Sequence, residues 1–322
     1  MNFNWNKFLY FALAIVLFLA IPFLFGKYFV FVLSVICIFI VVSIGMNILT
    51  GYTGVLSLGH QAFFGIGAYT VAIVASRIEG FPFLIGLLMA GSLSGMIGYF
   101  MGFAALRTSG VYLTIATLAL GIIMEEVFSE WISLTGGSAG MAVLPPALGS
   151  IRFDSSTELF YLISFITAIM FFFAVNLIAS NIGRAFVAIR ESEISAQSYG
   201  ISLVKYKTLS FAISAFYTGV GGGLYAYLMK YVAPIDFNIH AGIQFVMAVI
   251  IGGLGSMLGS ILGAIILLVL PQLFGGIVYW QQFFIGVVLL MIILLLPEGL
   301  SGGYYRLISW VRHRLQKRKE CV

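Results

Sequence analysis

Two stretches of this chain contain no Asp, Glu, Lys or Arg: residues 28–76, 49 residues long, and residues 237–297, 61 residues long. A helix crosses the hydrocarbon core of a bilayer in about 20 residues. The first stretch therefore holds two crossings and the second up to three. Shorter charge-free runs at 8–26, 80–106, 108–124, 159–183 and 208–229 hold one each. With 61% hydrophobic and 8% charged residues, the chain falls far below the roughly 25% charge of a soluble domain and cannot coat a water-soluble globule. It reads as all-α, a polytopic membrane helical bundle of about ten transmembrane helices. Eight is the alternative, if one glycine-rich stretch in each long run is re-entrant. Residues 1–322 form a single transmembrane domain in this reading. The run 8–26 follows Lys7 and ends in Phe23-Leu24-Phe25-Gly26, with no small-x-small cleavage site, so it reads as a retained first helix.

Charge sets the orientation. An even number of crossings puts both termini on one side, together with Lys7, Arg107, Arg184, Arg190, Lys205, Lys207 and six basic residues between Arg306 and Lys319. Lys27, Arg77, Arg152 and Lys230 fall on the other. The positive-inside rule makes the more basic side cytoplasmic. Residues 134–158 then form an external loop, marked by Gly136-Gly137 and Pro145-Pro146. Residues 181–207 form a cytoplasmic loop, and 304–322 a basic cytoplasmic tail facing anionic lipid rather than nucleic acid.

Within the first long run, "NILTGYTGVLSLGHQAFFGIGAYTVAI" (Asn47 to Ile73) makes a poor membrane helix. Glycine weakens a helix by about 1 kcal/mol relative to alanine, and freed backbone inside a bilayer must find partners in protein or line a wet cavity. Gly51, Gly54 and Gly59 read as a helix break between the second and third spans. Ser57, His60 and Gln61 are candidates for the translocation path, where transporters place broken helices. Thr53, Ser57 and Tyr52 are candidates to cap loosened backbone. "GGLGSMLGS" (Gly252 to Ser260) is a partial counterpart, with Gly252, Gly253 and Gly255 as its break. Glycines four apart (Gly91/Gly95, Gly98/Gly102, Gly219/Gly223, Gly255/Gly259/Gly263) predict close helix packing. The Phe171–Phe173 run is expected to face lipid.

Chemistry is sparse. None of His60, His240 and His313 lies in an HExxH or pairs with a Cys or Asp at useful spacing, and there is no Gly-xxxx-Gly-Lys-Ser/Thr phosphate loop. Two cysteines, Cys37 and Cys321, fit neither a disulfide framework nor a metal site. Carboxylates are missing from the middle of every span, where ion-coupled transporters place them; Glu125, Glu126 and Glu130 lie near an outer end. The expectation is a translocation subunit that borrows its energy and binds no cofactor or metal.

The segment "NIGRAFVAIRESEISAQSYGISLVKYK" (Asn181 to Lys207) spaces Phe186, Ile189, Ala196 and Tyr199 at helical steps, with one gap at Glu193. One short amphipathic helix is expected, with an Arg190–Glu193 pair and Gly200 as its C-terminal cap. It suits either a groove on a partner or the membrane interface.

"GRAFVAIRESEISAQSYGI", "KTLSFAISAFYTGVGGGLYA" and "IGGLGSMLGSILGA", with "GYTGVLSLGHQAFFGIGAYT" and "LTGGSAGM" before them, resemble permease subunits of bacterial ABC importers for branched-chain amino acids, of the M type. The resemblance covers about residues 45 to 300. It implies a permease without its own ATPase site in the bacterial cytoplasmic (inner) membrane. It also implies a heterodimer with a related second permease, two cytoplasmic ATP-binding subunits that use the ATP, and an external substrate-binding protein. The cargo would be leucine, isoleucine and valine. Residues 181–207 become the coupling loop, with Arg190, Glu191, Glu193, Ala196 and Gly200 as candidate ATPase contacts. The family pattern Glu-Ala-Ala-x-x-x-Gly has its nearest match in Glu193 to Gly200, with one extra residue before Ser195-Ala196. Permeases for urea and short amides are similar, and stand as the alternative. A self-sufficient secondary transporter or channel is the alternative from another class.

Overall fold

The computed structural model describes residues 22, 26–78, 80–104, 110–148, 151–273, 281–296 and 299–303. The run 8–26, Arg107, Cys321 and the tail 304–322 lie, apart from residues 22 and 26, outside the described residues.

Among the described residues, every charge-free run from residue 28 onward carries helix. The first long run gives α1 (Lys27–Asn47) and α2 (His60–Arg77), separated by a π-helical turn and a loop. Then come α3 (Phe83–Ala104), α4 (Val111–Glu130) and α5 (Ser156–Ala179). The loop 181–207 carries α6 (Asn181–Glu191) and α7 (Glu193–Ser198) and leads into the long α8 (Leu203–Met229). The second long run gives α9 (Ile239–Gly252), α10 (Met257–Leu273) and α11 (Gln281–Leu295). By length and composition five described helices can cross a membrane: α1 with its π turn, α3, α4, α5, and α9 with the 3-10 turn before it. The chain is an all-α membrane bundle.

Helix directions alternate, which creates two ends. At one end lie α6 and α7. At the other, two short strand pairs close the surface: β1 (Met141–Ala142) runs antiparallel to β4 (Tyr231–Val232), and β2 (Ala147–Leu148) to β3 (Ile151–Arg152). Lys230 Nζ donates to the Asp154 carbonyl there, at 3.2 Å. Residues 134–158 are thus a folded cover rather than an open loop. Ser155 accepts from Thr157 N–H, and Glu158 reaches back to Ser155 N–H, capping α5. Arg184, Arg190, Lys205 and Lys207 sit at the α6–α7 end, and Lys27, Arg77, Arg152 and Lys230 at the covered end, as the charge count divides them.

α8 is the hub, packed against α1, α2 and α3. Its glycines let backbones touch. A Cβ on Gly222 would fall on the Phe64 carbonyl of α2, and Ser94 of α3 covers Gly219 while donating to the Phe63 carbonyl at 3.0 Å. Across from these, Gly91, Gly95, Gly98 and Gly102 of α3 face residues 208–220 of α8. The Gly-xxx-Gly seams therefore serve packing within this chain. Large apolar residues face outward where no helix covers them; Phe172 and Phe173 are more than half exposed. α2 and α8, the inner helices, are not among the five apolar enough to be recognised as spans. Their surroundings are protein, so small and polar residues replace the Leu and Phe that lipid selects.

Candidate functional site

The backbone of the first break is held by bonds from its own residues and from α4. α1 stays helical to Asn47, widens into the π turn Ile48–Tyr52, and leaves regular structure at Thr53. The Ile48 carbonyl accepts from Thr53 Oγ1 at 3.0 Å, and the Leu49 carbonyl from Val55 N–H at 3.1 Å. Leu58 N–H donates to Thr117 Oγ1 of α4 at 3.0 Å, and Gly59 N–H to Ser57 Oγ at 3.4 Å. Thr53 and Ser57 thus satisfy loosened backbone, as buried polar groups require. Gly59 has to be glycine for space, because its missing Cβ would enter the Thr117 carbonyl.

The second break forms the tip of the α9–α10 hairpin. Gly253 (φ 113°) and Gly255 (φ 76°) turn the chain through conformations that side chains disfavour. The tip meets the first break. Asn47, fully buried, donates from Nδ2 to the Ser256 carbonyl at 2.7 Å and to Ser260 Oγ at 2.8 Å. Its Oδ1 accepts from Gly255 N–H at 2.9 Å. Gly51 leaves room for this: a Cβ there would fall on Asn47 Oδ1 and Gly255 N.

The α6–α7 loop lies over this junction. Arg190 Nη1 donates to the Gly51 carbonyl at 2.6 Å. The same side chain runs past Gly54 and Gly255, where it is the nearest neighbour of the space each glycine leaves. The expected single helix is two. Ser192 is extended (φ −164°, ψ 116°) and caps α7 by accepting from Ser195 N–H at 3.2 Å. This turn rotates Glu193 away from Arg190, so the predicted pair is absent; Glu193 bonds Lys207 of α8 at 2.8 Å instead. Phe186, Ile189 and Ala196 are buried against the bundle, while Tyr199, expected on the same face, is 86% exposed and Ile194 80% exposed. Glu191 is exposed too. Gly200 (φ 81°) ends α7, with Ile201 N–H returning to the Ala196 carbonyl at 3.0 Å.

Deeper in the bundle lies a polar layer at the start of α2. His60 Nε2 shares a 2.7 Å hydrogen bond with Ser214 Oγ of α8. The Gln61 amide occupies a slot between Gly121 of α4 and Gly242 of α9, each of whose missing Cβ atoms it replaces. Ser57, His60 and Gln61 are all buried, and the Gln61 amide and His60 Nδ1 have no hydrogen-bond partner.

A family model for the permease component of branched-chain amino acid transport systems matches residues 28–296, which include both breaks and the α6–α7 loop. The chain belongs to this family. Among its relatives is the high-affinity branched-chain amino acid transport permease LivM of Salmonella typhimurium, 31% identical over 310 residues, covering 89% of this chain and 73% of that protein. LivM of Escherichia coli K12 is also 31% identical, over 316 residues, with 91% and 74% covered. The LivH permease of Salmonella typhimurium is 26% identical over 282 residues, with 81% and 90% covered. No solved structure matches the chain.

Among the described residues no group of three His, Cys, Asp or Glu could hold a metal ion. The structure brings together Gly51, Gly54, Gly255 and Arg190, which lie in three separate segments of the sequence. Ser57 lies within the first break, and His60 and Gln61 follow it in the first turn of α2. Asn47 escaped the sequence reading, although an amide ending a 19-residue apolar run, just before a glycine-rich segment, is a legible signal.

Proposed function

We propose that this chain is the M-type permease subunit of an ATP-driven importer for branched-chain amino acids. In this reading ten helices span the bacterial inner membrane with both termini cytoplasmic. The α6–α7 end faces the cytoplasm, and the strand-covered end faces an external substrate-binding protein. A related second permease completes the path, and two cytoplasmic ATP-binding subunits supply the energy. The observation that carries the reading is the seating of the α6–α7 loop on two glycine breaks, with Ile194, Tyr199 and Glu191 left exposed for a partner. An apolar pair beside a carboxylate suits the groove of an ATPase better than lipid headgroups. Ser57, His60 and Gln61 serve the path in this scheme: the unpartnered atoms of His60 and Gln61, costly while buried, gain partners when the helices separate around substrate.

The test is reconstitution. The chain assembled with its partner permease and ATPases in proteoliposomes takes up leucine only with ATP and binding protein. The chain alone neither hydrolyses ATP nor moves leucine. Leucine uptake by the chain alone, driven by an ion gradient, would overturn the reading in favour of a secondary transporter.

A further inference from the structure

The two links at the breaks differ in kind. Asn47 is fully buried and makes three hydrogen bonds to the α9–α10 tip. All three would have to break together for the tips to part, so this is the firmer link. Arg190 is an exposed residue whose guanidinium makes one short bond to the Gly51 carbonyl. The guanidinium is exposed enough for water to take over its donors, while Gly51 itself is buried, so this single link is the more readily released of the two. The Gly51 carbonyl belongs to a π turn, where the regular i to i−4 pattern is already interrupted. A pull on it need not unwind an intact helix.

From this geometry we infer that Arg190 is a positioning residue that couples α6 to both helix breaks at once: Asn47 makes the two hairpin tips one moving piece, and Arg190 is the handle by which the loop moves it. The inference rests on the importer reading and adds a route to it. Force delivered to α6–α7 arrives at Gly51, and through Asn47 at Gly255, without a contact between the ATPase and either break. Besides the apolar packing of Phe186, Ile189 and Ala196, the loop's charged tie, Glu193 to Lys207, runs to α8 rather than to the breaks, so it does not duplicate the polar link at Gly51.

The experiment uses the complete complex in proteoliposomes, with Cys37 and Cys321 replaced by serine. Nitroxide labels go on the exposed residues Val187 of α6 and Leu254 of the second tip. With Arg190 intact, the Val187–Leu254 distance stays the same in the nucleotide-free and ATP-trapped states, because the two move together. In Arg190→Met, which keeps an unbranched apolar stem and removes every donor, the distance distribution broadens in the trapped state. Leucine uptake then falls about tenfold or more, the weight of one charge-assisted hydrogen bond, while ATP hydrolysis by the partner subunits continues. Arg190→Lys, with a shorter cationic donor group left, restores part of the uptake. Three results overturn the inference: a distance that changes between states with Arg190 intact, unaltered uptake in Arg190→Met, or uptake and hydrolysis falling together at constant distance. The first needs no variant, so a failure of Arg190→Met to assemble leaves the inference exposed to refutation. Absence of ATP-dependent leucine uptake by the unmutated complex would instead sink the importer reading, and the label distances would still report on the link.

Discussion

Asn47 and Gly51 give the most demanding prediction, because each depends on the other. Asn47→Ala removes three hydrogen bonds to the second tip. At about 1 kcal/mol net for each, the cost is about 3 kcal/mol. Gly51→Ala removes no polar group, yet its Cβ falls on Asn47 Oδ1 and on Gly255 N. Neither can yield without losing the bond between them. Asn47 is displaced and its three bonds go with it, again about 3 kcal/mol on the same figure. Once Asn47 is alanine, the oxygen that collided with the new methyl is gone; the approach to Gly255 N is common to the single and double variants and cancels in the cycle. The double variant should therefore cost about 3–4 kcal/mol rather than the sum of about 6, a coupling of about 2–3 kcal/mol in a range that contacting residues reach. Reversible unfolding in mixed micelles of the wild type, both single variants and the double variant closes the cycle. Additivity within about 0.5 kcal/mol, the behaviour of independent sites, would refute the claim that Gly51 is glycine in order to seat Asn47.

Other outcomes follow from the same structure. Gly222→Ala places a methyl on the Phe64 carbonyl, a backbone atom that cannot swing aside, whereas Gly286 has nothing within 4 Å; thermal unfolding should show the first losing several degrees and Gly286→Ala almost none. Lys207 is the buried member of its ion pair and Glu193 is 51% exposed, so Glu193→Gln, which strands the ammonium, should cost about 1 kcal/mol or more, and Lys207→Met less; the reverse order in denaturant titrations would contradict the burial argument. Cysteines at Ser57 and Gln61 should resist small aqueous thiol reagents at rest, since both residues are buried, and react during turnover. If both stay protected throughout the cycle, the translocation path runs elsewhere.

The absence of charge made most of the fold legible. A run without Asp, Glu, Lys or Arg has few alternatives to apolar helix, and the two longest runs resolve into two and three helices. The breaks were legible because Gly51 to Gly59 and Gly252 to Gly255 contradict the surrounding pattern. Their meeting was not: Arg190 and Gly51 are 139 positions apart, and Asn47 and Gly255 are 208 apart. No periodicity reports a contact of that kind. The loop was misread at one residue. Ser192 fits a helical pattern tolerably, but its hydroxyl competes for backbone as an N-cap, and that choice split the helix and redirected Glu193 to Lys207. Tyr199 was assigned to the packed face for the same reason; a phase carried across Ser192 no longer applies.

The glycine-rich character of α8 bears on how the chain reaches its membrane. The helix on which α1, α2 and α3 all pack is less apolar than α1 and α3 and is not among the five read as spans by composition, and it emerges from the ribosome after them. Its entry depends on a binding surface already in place: the glycine face of α3, the Phe63–Phe64 backbone of α2 and the inner side of α1. A chain truncated after residue 229 should hold α8 across the membrane, and the same segment fused alone behind a neutral carrier should slip through. Glycosylation tags placed beyond Met229 would register the difference. Assembly and insertion are then one step for this helix, and an alanine at Gly222 would appear first as a topology defect, before any transport was measured.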